Sequence, residues 1–192
     1  LKNPGFTTSN VSRTFVLNKQ QLYSLGTVDM SVFDAPNTLY QYWTICPAMV
    51  YDPNYNDVWC VTNDDNDDND LRFFKVTGGP SNPAMSEEGF ISIGTAWPQN
   101  AGNLGPQSGS AARIDLGFDW VQSAVWRNGL LYFSQSFALP SGSTPNTATI
   151  QIASCNPVTN TVVEAFRYNT DQNTMYSYAN LTVNESGDWI IS

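Results

Sequence analysis

Histidine is absent from this 192-residue chain, and lysine and glutamate are scarce, with three and four copies. Without histidine there is no Ser-His-Asp or Cys-His nucleophile system, no histidine zinc site and no histidine general base. Chains rich in helix lean on Ala, Leu, Glu and Lys, so the scarcity of the charged pair argues against a helical protein. No GxGxxG, phosphate-loop or CxxC pattern occurs. No apolar run approaches the roughly 20 residues needed to span a bilayer as a helix, so no membrane insertion is expected. Eight Lys and Arg stand singly against seventeen Asp and Glu, for a net charge of −9. With no basic cluster to neutralise phosphates, nucleic acid is excluded as a partner and an anionic membrane surface is a poor one. Leu1-Lys2-Asn3-Pro4-Gly5 lacks the apolar core of a signal peptide; if the protein has one, it is expected upstream or already removed.

What remains is polarity carried by uncharged side chains. Charged residues make up 13 %, and aromatics another 13 %; that balance suits short strands joined by turns. Three segments look alike. They are Ala48-Met49-Val50-Tyr51 leading through a turn to Val58-Trp59-Cys60-Val61, then Ser123-Ala124-Val125-Trp126 to Leu130-Leu131-Tyr132-Phe133, then Asn180-Leu181-Thr182-Val183 to Asp188-Trp189-Ile190-Ile191. Each reads as a hairpin, because Asn128-Gly129 and Ser186-Gly187 supply positive φ and Pro53 presets φ in a longer loop. A second pair of strands follows the first two hairpins: residues 71–76 with 90–93, and 148–153 with 161–166. Residues 14–17 and 30–33 form a further pair, with a short helical turn over 19–23 between them.

The repeating unit is thus four antiparallel strands, the size of a propeller blade. One such sheet cannot cover both of its faces, so units stack face to face, which explains strands that are apolar on both sides. A β-sandwich would favour cleaner alternation. The fold expected is all-β: antiparallel four-stranded blade repeats of a β-propeller in an incomplete fragment, about two and a half blades, with units near 13–34, 43–97, 118–168 and 176–192. Residues 95–113 and 139–146, rich in Gly, Pro, Asn and Ser, are expected as loop tips.

Candidate sites are few. In Asn63-Asp64-Asp65-Asn66-Asp67-Asp68-Asn69-Asp70, five carboxylates crowd one loop. Alternate oxygen ligands Asp64, Asn66, Asp68 and Asp70 have the hard character Ca²⁺ requires, although the glycine and distal glutamate of an EF-hand are missing. Otherwise the run is a solvated acidic turn. Trp97 and Trp120 flank the long loop and are the candidates for stacking on a ligand such as a sugar. Trp59 and Trp189 hold matching hairpin positions and are expected between sheets. Asp115 and Asp119 read as turn or cap groups. Cys46 and Cys60 fall out of register in their hairpin, so these two and Cys155 read as small buried hydrophobes. Asn10, Asn180 and Asn184 begin glycosylation sequons.

The hairpin from Tyr178 to Ile191, with Val183-Asn184 followed by Gly187-Asp188, resembles the opening of a blade in secreted bacterial β-propellers, including the sialidase-like group. Residues 48–59 are similar. The resemblance implies a propeller fold in a secreted, cell-surface or periplasmic protein. The chain departs from that group in its Asp-box: Ser186-Gly187-Asp188-Trp189 lacks the Ser-x-Asp-x-Gly-x-x-Trp spacing. Arg13, Arg72, Arg113, Arg127 and Arg167 match no substrate-binding arginine of the group, so the likeness transfers fold and not activity. The function expected is a non-catalytic extracellular binding or scaffold module that recognises a glycan or protein partner or joins a larger assembly. The alternative is a segment of a propeller glycosidase working through carboxylates and tyrosine.

Overall fold

The structure, a computed structural model, describes residues 12–34, 44–64, 70–93, 105–117, 119–139, 147–168 and 174–192. Among these residues the chain is an all-β protein of antiparallel sheets with one short helix. The first element is a hairpin, β1 (Arg13–Leu17) with β2 (Met30–Asp34), closed at its open end by an Arg13–Asp34 ion pair. Helix α1 (Lys19–Tyr23) lies between them. It forms where expected because the Asn18 side chain caps it, accepting from the amides of Gln20 and Gln21. No described helix is long and apolar enough to cross a membrane.

Two meanders follow. The first has β3 (Cys46–Pro47), β5 (Val58–Asn63), β6 (Asp70–Thr77) and β7 (Ala84–Ser92) in spatial order β3-β5-β6-β7. The second has β10 (Val121–Arg127), β11 (Leu130–Leu139), β12 (Thr147–Asn156) and β13 (Thr161–Tyr168), also side by side in chain order. β4 (Met49–Val50) leaves the first meander and pairs in parallel with β10, Met49 opposite Val125 and Val50 opposite Trp126. A third hairpin, β14 (Leu181–Val183) with β15 (Trp189–Ile191), lies against β10. A small pair, β8 (Gly105–Pro106) with β9 (Arg113–Ile114), occupies a stretch that reads as a plain loop in the sequence.

The turn chemistry is as the residues dictate. Asn128 and Gly129 both have positive φ, 53° and 77°, the signature of a type I′ turn, whose twist matches the flanking strands. The β12–β13 turn is held by Asn156, whose side-chain oxygen accepts from the amides of Val158 and Thr159. β7 starts at Ala84, six residues before the apolar stretch that marks it in the sequence. Its first half, Met85-Ser86-Glu87-Glu88, is an edge strand facing solvent, and the hydrogen-bond ladder alone asks nothing apolar of it.

The two meanders bury one core between them. Trp59, Val61, Leu71, Phe73 and Ile91 of the first face Ala124, Trp126, Leu131, Phe133, Ala153 and Cys155 of the second. At its centre Trp126 stacks on Trp59 at 5.7 Å and on Tyr55 at 4.8 Å, and the Trp59 indole N–H donates to the Tyr55 hydroxyl at 2.6 Å. The opposite face of the second meander carries a second core. Val125, Tyr132, Ile150 and Ile152 meet Ala179, Leu181 and Val183 there, with Trp189 edge-on to Tyr132 at 5.2 Å. So β11 and β12 are covered on both faces, which is why they read as near-continuous apolar runs. Trp59 and Trp189 both stand between sheets.

The hairpin expected of residues 48–51 with 58–61 does not form: Cys46 and Pro47 take the places opposite Val61 and Cys60, and Met49–Val50 join the second meander's sheet instead. Strands β4, β10 and β14 nevertheless run in one direction. β4 pairs in parallel with β10. β14 follows β10 in the same direction, because Ser123 meets Asn180 (2.8 Å) while Arg127 donates to the Val183 carbonyl (3.0 Å) and Asn128 to that of Glu185 (3.0 Å). The Tyr51 hydroxyl, just after β4, reaches Thr182 of β14 at 3.2 Å.

Candidate functional site

The tight turns of both meanders lie at one end of the strands, and the strand ends that flank the longer stretches lie at the other. Asn63 and Asp70, at the two sides of the acidic run, are at this second end, where the Asp64 amide bonds to the Asp70 carbonyl at 3.0 Å. So are Asp119 and Trp120, which lead into β10, since the Asn63 side-chain amide donates to the Asp119 carbonyl at 2.6 Å. Leu139 and Thr147 are paired there as well. The residues that bracket the acidic run, the tryptophan before β10 and the loop-flanking strand ends thus share one end of the described molecule.

Asp64 does not stand open to solvent. Its side chain is 0 % exposed and accepts from Arg72 Nε at 2.9 Å. Arg72 also reaches Glu87 at 3.1 Å and covers the Phe90 ring at 4.9 Å. Asp70 is buried, whereas Asn66, Asp68 and Trp97 lie outside the described residues. Trp120 is half-buried. Among the described residues no three Cys, Asp or Glu side chains converge as metal ligands. Asp115 is a turn group, its carboxylate accepting from the Gly117 amide at 2.8 Å.

The cysteines are unpaired thiols. Cys46 stands opposite Val61 and Cys60 opposite Pro47, so the two project to opposite faces of their hairpin and reach different cores. Burial pushes their thiols up to about 11 and about 12, and that of Cys155 to about 12. A thiol held protonated is a poor nucleophile.

The unusual chemistry sits inside the core, close to the same end. Gln135, Gln151 and Arg167 form one row across β11, β12 and β13, on the face that looks toward the first meander. Arg167 Nε donates to Gln151 Oε1 at 3.1 Å, and its guanidinium lies over the Phe137 ring at 4.5 Å. Burial lowers its pKa below the ordinary arginine value. Gln135 is 0 % exposed, yet among the described residues neither atom of its amide has a hydrogen-bond partner. Asn63 Oδ1 is likewise buried and unpartnered. The hydroxyls on the other face of β11 are satisfied: Ser134 donates to the Ala179 carbonyl at 2.7 Å, and Ser136 donates to Gln122 at 3.0 Å.

The row was legible as an anomaly. Phe133-Ser134-Gln135-Ser136-Phe137 places glutamine on the same alternation face as two phenylalanines. What could not be read was the pairing of Gln135 with Gln151, and of Gln151 with Arg167, because register across strands is a tertiary fact. Compared with family models, curated proteins and solved structures, the chain matches none.

Proposed function

We propose that this chain is one sector of an exported β-propeller that binds a glycan or protein partner without catalysing its turnover. The observation that carries the reading is the common direction of β10 and β14, which begin the second meander and the last hairpin, with β4 running parallel beside β10. Inner strands of successive blades share one direction around a propeller axis. In this reading the hairpin β14–β15 opens a third blade. The partner-binding surface is the end where the acidic run and Trp120 meet the strand ends, since recognition residues concentrate on the loops that a rigid scaffold presents.

The experiment is to incubate the purified chain with immobilised glycans and assay retention and released sugar in the same sample. Retention without release supports a binding module. Release that is lost when acidic residues of this chain are replaced by amides would instead support the propeller-glycosidase alternative. A Ca²⁺ site at Asp64, Asn66, Asp68 and Asp70 is a further proposal. It is favoured by the Asp64–Asp70 backbone bond, which brings the two ends of the run together, and it requires Asp64 to exchange its bond to Arg72 for the cation. Ca²⁺ at roughly 100 times its Kd should stabilise the fold by about 2.7 kcal/mol. A Tm unmoved by millimolar Ca²⁺ or by chelator rejects it.

A further inference from the structure

We infer that the Gln135–Gln151–Arg167 row is a binding site for a small hydroxycarboxylate, with the carboxylate on Arg167 and a hydroxyl on Gln135. Two independent features point there. The first is a guanidinium without a counter-ion. Arg13, Arg72 and Arg127 each reach a carboxylate, whereas Arg167 has no carboxylate partner among the described residues and bonds Gln151 alone. A half-buried charge left unmatched is costly, and a bound anion removes that cost.

The second is the orphaned amide of Gln135, a donor and an acceptor both fully desolvated. Buried polar groups are almost always paired, so this one marks either stored strain or a missing partner. A hydroxyl, which donates and accepts, complements such an amide in both senses.

The geometry narrows the anion. Gln151 occupies Nε of Arg167, leaving the edge formed by the two terminal nitrogens. That edge presents two parallel N–H groups, matched to the two oxygens of a carboxylate. One guanidinium balances one negative charge. A phosphate dianion would carry an unmatched charge into a half-buried position of a chain whose net charge is already −9. Gln135 and Arg167 stand two strands apart, about 10 Å. A ligand held by Arg167 must therefore pass Gln151 before its hydroxyl meets Gln135, which needs a carboxylate and a hydroxyl several ångströms apart. Uronic acids have that span; lactate, whose hydroxyl stands on the carbon beside its carboxylate, does not.

The test is to titrate the full ¹⁵N-labelled chain with glucuronate, glucose and lactate, following the Gln135 side-chain amide and the Arg167 Nε–H signals. Both signals should shift with glucuronate and neither with glucose, while lactate, which can hold Arg167 without reaching Gln135, should move the Arg167 Nε–H signal alone. A Gln135 response to lactate as large as that to glucuronate would refute the two-point contact. Arg167→Gln should weaken binding by roughly tenfold or more, since a charged hydrogen-bonded contact is lost. Arg167→Lys, which keeps the charge but not the fork, should fall between. Gln135→Met should weaken binding while leaving the folded spectrum intact. Unmoved signals with both acids would overturn the inference, as would shifts that persist unchanged in Arg167→Gln.

Discussion

Replacing Cys155 by alanine should make the protein less stable near neutrality and more stable in alkali. Cys155 is 0 % exposed and sits in the inter-sheet core. Removing its sulfur costs the transfer and cavity terms, about 1 kcal/mol for a group of this size. The opposing effect is proton linkage. In the folded chain burial holds the thiol at about 12, against an ordinary value of 9.0. Between those values the native state keeps a proton that the unfolded state releases, so stability falls as pH rises. The slope approaches about 1.4 kcal/mol per pH unit. Wild type should therefore lead below pH 9 and the curves should cross near pH ~10, with Cys155→Ala ahead by about 1–2 kcal/mol at pH ~11. Tyr55, Tyr132 and Lys75 also have raised values, but both proteins carry them and their contribution cancels in the difference. Urea unfolding followed by tryptophan fluorescence at four pH values measures the gap, provided that the m-value is constant. A gap that keeps its sign and size from pH 7 to pH 11 would refute the buried-thiol argument.

Two further substitutions test local features. Trp59→Ala should cost about 3–5 kcal/mol in urea unfolding. Trp59→Phe should cost less, because it keeps a ring against Trp126 and loses the bond to Tyr55. Gly89→Ala should cost more than Gly129→Ala, although both glycines have positive φ. At Gly89, φ is 143°, a backbone region that strains an L side chain more than the 77° of Gly129; the Asn160 side-chain end that a Cβ would meet there can swing aside, and at Gly129 nothing lies within 4 Å. The Gly129 variant should lose about 1 kcal/mol and the Gly89 variant roughly 2–3 kcal/mol, read from paired thermal melts.

Much of the strand plan is legible in the sequence, because local signals decide it. Asn128-Gly129 fixes one hairpin, and Asn18 starts the helix. The apolar runs of β11 and β12 report burial on both faces. The front half of β7 escapes notice because a solvent-facing edge strand needs no apolar residues. The β8–β9 pair escapes because two-residue strands of Gly-Pro and Arg-Ile carry no periodicity. At the candidate site the acidic run drew attention by composition. The structure shows Asp64 already engaged by Arg72, an ion pair set by β5–β6 register that spacing does not reveal. The Gln135 row could be suspected from alternation, but its continuity with Arg167 follows only from the pairing of three strands.

The parallel alignment of β10 and β14 is the contact on which the propeller reading turns, and paired cysteines test it directly. Ser123→Cys with Asn180→Cys, and Arg127→Cys with Glu185→Cys, place thiols where side chains now meet at 2.8 and 3.5 Å. Cys60 and Cys155 are buried, Cys46 is half-buried, and all three thiols are held protonated, so a short thiol crosslinker near neutral pH should act on the introduced pairs. Positions 123 and 127 are about 13 Å apart along the strand, which puts the swapped pairs, Ser123 with Glu185 and Arg127 with Asn180, out of reach. The parallel arrangement predicts efficient crosslinking of the first two pairs and none of the swapped ones. Crosslinking of the swapped pairs alone, or of none of the four, would contradict it.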